Sequence, residues 1–308
     1  MKIIVPATID DTTLTATDVT EADYTDWVIT TGYSIGDERQ ITTPNVHTVY
    51  ECIQAHTSDA LNKPTEDVDP DTGIGDYWIR LAATNPWAMF SDQISDQTEK
   101  ATSINVTIEP GEVINGIALF NLEGAEVTIE MDDPIDGIVY SETISLSDNT
   151  DINDWYEYYF NPISTRTDIA RLDLPPYSTA EVNVTISAPS GTAKCGLLTL
   201  GYQRTVGIAE NGTSVGIIDY SRKEQDSFGR SIVVQRNYSK IASYEVLMQT
   251  NRIDFVQSLL ASLRTTPVTW VGSEEYGSTI IYGYYRDFDI LFRNPINSPA
   301  TIEVEGLT

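Results

Sequence analysis

No stretch of this 308-residue chain approaches the ~20 consecutive apolar residues that a helix needs to span a bilayer, so no membrane insertion is expected. Histidine is nearly absent: His47 and His56 are the only two. Neither forms an H-E-x-x-H or a Cys/His zinc spacing. There is no G-x-S-x-G elbow, no Walker loop and no G-x-G-x-x-G following a strand. The opening "MKIIVPATIDD" carries one Lys and too short an apolar run for a secretory signal. The two cysteines, Cys52 and Cys195, lie far apart, which favours buried free thiols made in a reducing cytoplasm. Basic residues are scarce, 18 against 46 acidic, for a net charge of −28. Such a field repels phosphate backbones and anionic lipid, so no nucleic-acid partner is expected.

Carboxylates are abundant enough that a glycosidase pair could hide among them, but abundance alone makes that reading uninformative. The best metal candidate is "DVDPDTGIGD", where Asp67, Asp69 and Asp71 alternate as in a calcium loop. A calcium loop needs Gly at its sixth and Glu at its twelfth position, and here Thr72 and Trp78 stand there. A solvated acidic turn is expected instead, with no metal and no cofactor.

Strand signals dominate what is present. "SINVTIEPGEVINGIALFNL" and "AEVTIEMDD" alternate apolar and polar residues, and "YEYYFNP", "RLDLPPY", "AEVNVTISAP" and "CGLLTLGY" continue at the short spacing of a β-sandwich. The one helix pattern is "RIDFVQSLLASLR", with Ile253, Val256, Leu259, Leu260 and Leu263 on one face. Thr250 or Asn251 is expected to cap it, and Pro267 to stop it. The fold class is therefore mainly β: a small aromatic module over 1–81, a jelly-roll-like sandwich over 82–201, and an α+β assembly region over 202–308.

Residues 24 to 81 resemble the chitin-binding modules of carbohydrate-binding families 5 and 12. The shared frame is Trp27, Tyr33, Gly36, Asp37, the Val49–Tyr50–Glu51 strand, Pro64 and Trp78. The resemblance makes Trp27, Tyr33, Tyr50 and Trp78 candidates for stacking on a saccharide. Family members often carry a Trp pair just after the strand tyrosine, where this chain reads "IQAH". A module this small also needs aromatics for its own core, and core duty is the favoured role here.

Such modules lacking the platform recur in virion proteins of tailed bacteriophages. "YWIRLAATNPWAMFSD", "LDLPPYSTAEVNVTI", "CGLLTLGYQRTVG", "DYSRKEQDSFG" and "YGYYRDFDI" together look like a phage tail or baseplate protein, and the centre resembles galactose-binding-like jelly rolls. The resemblance implies a non-enzymatic virion component, assembled in the host cytoplasm with copies of itself and other tail proteins. Host-surface glycan is the alternative partner. "DYSRKEQDSFG", residues 219 to 229, reads as a hairpin connection or subunit contact. Tyr284, Arg286 and Phe288, in an aromatic strand, are candidate interface residues, although packing against the helix explains such a run equally well.

Overall fold

The computed structural model describes residues 1–42, 45–148, 150, 152, 154–160, 164–225 and 228–308. Half of the chain is strand, and among the described residues Ile253–Ser262 is the only helix of seven or more residues. Two antiparallel sheets carry the body. The five-stranded sheet runs Gly137–Ser145, Glu126–Asp133, Glu181–Cys195, Thr98–Ile108 and Leu14–Thr17. The ten-stranded sheet begins with Ile169–Arg171, Gly116–Phe120 and Leu197–Thr205, then Lys2–Pro6. It continues through Val268–Val271, Ile280–Ile290, Asn297–Gly306 and Tyr238–Gln249. Ile208–Ala209 and Ser214–Asp219 share the outer edge of that last strand.

Period-two patterning fixes which residues meet between the sheets. Ile104, Val106, Val127, Ile129, Val182 and Val184 from the smaller sheet pack on Ile117, Leu119, Leu198 and Leu200 from the larger one. The remainder of the large sheet curls into a half-barrel. One of its faces is covered by the helix: Ile253, Val256, Leu260 and Leu263 pack among Tyr244, Val246, Trp270 and Ile302. The stripe expected from the sequence lies against the sheet, with Leu259 at its margin. The cap differs from expectation. Thr250–Arg252 forms a 3-10 turn leading into the helix, and the Thr250 hydroxyl donates to the Asn294 carbonyl at 2.8 Å.

The chain order and the sheet order disagree at the N-terminus. Lys2–Pro6, grouped by sequence with the aromatic module, fills the gap between Leu197–Thr205 and Val268–Val271. Leu14–Thr17 likewise joins the smaller sheet. The division expected near residue 201 falls inside a strand, because the sandwich and C-terminal region share one continuous sheet. Gly201 permits the closest approach there: a Cβ would sit 1.9 Å from the Val5 carbonyl oxygen.

A second correction concerns "YEYYFNP". Residues Trp155–Phe160 form a short helix rather than a strand, while Asn161 and Pro162 lie outside the described residues. The Glu157 N–H donates to the Asp154 carboxylate at 2.9 Å. That is the first half of a D-x-x-E capping pattern, and it outweighs the strand preference of the aromatics.

Candidate functional site

The N-terminal module is built from Glu38–Ile41, Thr48–Cys52 and Trp78–Ala83, with Gly32–Tyr33 paired to His56–Thr57. Tyr33, Tyr50 and Trp78 form its core together with Ile41 and Cys52. Trp78 has no exposed surface, and its indole N–H donates to the Asn62 carbonyl at 3.0 Å. The Tyr33 hydroxyl both accepts from the Val28 N–H and donates to its carbonyl. These three rings are enclosed and offer no flat face to a sugar. Trp27, expected to be mostly buried, packs partly buried at the edge of the same cluster.

The acidic turn uses its carboxylates internally. Asp67 accepts the N–H groups of Tyr77 and Trp78 at 2.9 Å each, and Asp69 accepts those of Asp71 and Thr72. Those N–H donors hold the Asp69 carboxyl below the usual carboxylate range. Both cysteines are free and buried, and burial raises the pKa of each thiol. Neither is poised as a nucleophile.

His47 joins the module to the sandwich. One ring nitrogen lies 2.6 Å from Asp11 and the other 2.9 Å from Glu21, while the ring stacks on Trp87 at 4.1 Å. Both hydrogen-bond partners are carboxylates from the segment preceding the module, so this side chain ties that segment and Trp87 to the module.

In the C-terminal strand Ile280–Ile290 a bulge at Arg286 interrupts alternation: Tyr285 faces Val304, and the next pair is Asp287 with Glu303. Tyr284, Arg286 and Phe288 therefore do not share one face. Phe288 joins Tyr285 against the helix-covered core, with their rings 5.6 Å apart. Arg286 stays exposed, but Glu305 of the same chain lies 3.4 Å away, so its pairing is internal. Tyr284 is half-buried.

Two other features dominate the surface. Beyond Ser214–Asp219 and the start of Tyr238–Gln249 the chain continues as a hairpin, Arg222–Gln225 paired with Ser231–Val234. Asp226 and Ser227, near its tip, lie outside the described residues. Every residue of both hairpin strands is exposed, including Ile232, Val233 (63%) and Val234. At its base the Lys223 ammonium, 2.6 Å away, holds the Asp219 carboxyl well below the usual range, aided by the Ser221 hydroxyl and N–H. The second feature is the Trp155–Phe160 helix. Its five aromatic side chains are all exposed, Trp155 by 77%. They lie against one another, as Tyr156 does against Phe160 with ring centroids 4.7 Å apart, instead of entering a core.

No protein-family model, curated protein or solved structure matches this chain.

The arrangement's capacity is therefore read from its own surfaces. Among the described residues no group of three or more His, Cys, Asp and Glu side chains could hold a metal ion. What stands out is apolar area placed where this chain cannot bury it. The 219–229 stretch was visible in the sequence, but its continuation through Ile232–Val234 was not singled out. The aromatic helix was missed entirely. Its signal was the D-x-x-E pattern ahead of a run that is aromatic on every side, which a helix tolerates only against a partner.

Proposed function

We propose that this chain is a structural, non-enzymatic component of a tailed-bacteriophage virion, in the tail or baseplate region. It works by assembling into a symmetric oligomer with copies of itself and other virion proteins. The observation that carries the assembly reading is the 222–234 hairpin. A lone two-stranded hairpin is at best marginally stable in water, because it orders its backbone without gaining a core. Here Ile232, Val233 and Val234 are each about half exposed or more. Covering the remaining surface of each contributes about 1 kcal/mol, enough in sum to favour a docked arm. The virion placement rests on the tail-protein resemblance of the sequence. A protein of high copy number with a net charge of −28 also stays dispersed until its specific contacts form.

The test is to sediment the purified chain over a range of concentrations, image the product, and search purified particles for the protein by mass spectrometry. A discrete symmetric oligomer and presence in the particle are expected. A chain that stays monomeric and is absent from particles, or one that hydrolyses a polysaccharide, overturns the reading.

A further inference from the structure

We infer that the hairpin arm of one copy seats on the Trp155–Phe160 helix of a second copy. This rests on the assembly reading above and names the contact that assembly would use.

The first ground is charge. Between Tyr220 and Tyr238 the arm carries four basic residues, Arg222, Lys223, Arg230 and Arg236, against two acidic ones. That local excess of positive charge is set in a chain of net charge −28. Among the described residues of 148–160, around the aromatic helix, stand Asp148, Asp154 and Glu157 with no Lys or Arg. Arg222 and Lys223 already pair with Glu224 and Asp219 of their own chain, so the attraction between arm and helix region rests on their opposite net charges and not on new ion pairs from these two residues.

The second ground is chemical fit. The register Arg222 to Val234 and Glu224 to Ile232 puts Arg222, Glu224, Ile232 and Val234 on one face of the arm. That face offers branched aliphatic side chains beside a guanidinium. Aromatic rings take both: aliphatic groups pack on their faces, and guanidinium stacks over them. The Arg222 guanidinium, 2.6 Å from Glu224, is held along that face.

The third ground is area. A stable interface buries roughly 800 Å² per partner. An aromatic side chain can bury about 150–250 Å², so three or four covered rings of the helix reach most of that.

The experiment uses the full chain and sedimentation velocity. One variant carries Ile232→Ser and Val234→Ser, and the other carries Trp155→Gln and Tyr159→Gln. All four positions are exposed, so thermal unfolding of the body should match the wild type, which controls for folding. Each variant alone should self-associate at least about a hundredfold more weakly, as loss of central anchors does. An equimolar mixture should recover association, because one variant keeps the acceptor helix and the other keeps the arm. Added salt should weaken the wild-type contact. The inference is overturned if either variant associates like the wild type, or if the mixture recovers nothing. In both cases the assembly reading stands, with its contact elsewhere. It is also overturned if the wild type remains monomeric while still entering particles, since the arm then docks on a different virion protein.

Discussion

Replacing Trp78 by Ala tests whether the aromatic frame of the N-terminal module is a core or a sugar platform. Trp78 is fully enclosed, meets Tyr33 edge-on at 5.1 Å, and donates its indole N–H to the Asn62 carbonyl. Truncating a buried Trp costs about 3–5 kcal/mol. Stranding the Asn62 carbonyl adds about 1 kcal/mol. A module of this size, at ~0.05–0.15 kcal/mol per residue, has only about 3–9 kcal/mol in total. The variant should therefore lose most or all of the module's structure, while the sandwich core, made of separate residues, survives. Peptide-resolved hydrogen exchange reads this directly: protection over 32–57 and 78–83 should collapse, and protection over 98–108 and 181–205 should persist. Trp27→Ala supplies the contrast. That ring is half-buried, and its Nε1 is a buried donor with no partner among the described residues, so its removal also relieves an unsatisfied group. Its cost should be about 1–2 kcal/mol, well below that of Trp78. If Trp78→Ala leaves the module protected, or if Trp27→Ala is the more damaging change, the core assignment is wrong.

Three further outcomes are expected. His47→Ala removes the ring that lies within hydrogen-bond distance of both Asp11 and Glu21 and stacks on Trp87; a cost of about 1.5–3 kcal/mol should speed hydrogen exchange over 10–22 and 84–90 roughly ten- to a hundredfold, and unchanged exchange would remove this tethering role. Gly201→Ala drives a Cβ into the Val5 carbonyl, which is backbone and cannot step aside, so calorimetry should show a loss of about 3 kcal/mol or more and the N-terminal strand should exchange freely; a wild-type melting temperature would contradict the close approach. Glu142 accepts two bonds from Arg171, which hold its carboxyl below the usual 4.5, so its stabilisation is complete above that value and fades as the pH falls through the depressed one. Glu142→Gln should accordingly lower the urea midpoint at neutral pH, and its effect should shrink as the pH is lowered below 4.5; an effect that does not change with pH would mean that the ion pair contributes nothing.

The sequence by itself determined the elements whose pattern is local. The helix stripe from Ile253 to Leu263 and the alternation of "AEVTIEMDD" were legible because period and turn chemistry act over a few residues. Trp78 and Tyr50 could be assigned to a core because a small module has few other residues with which to build one. Only the tertiary structure decided what depends on distant partners. Nothing within Lys2–Pro6 says that it will lie between strands about two hundred residues away, because any apolar strand fits any open edge of matching register. The bulge at Arg286 is equally invisible locally, yet it decides between the two readings that the sequence left open for Phe288 and puts it against the core. Ile232–Val234 of the arm and the aromatic helix are the converse case. Their residues look like core residues in the sequence, and only the folded chain shows that its own core was completed without them.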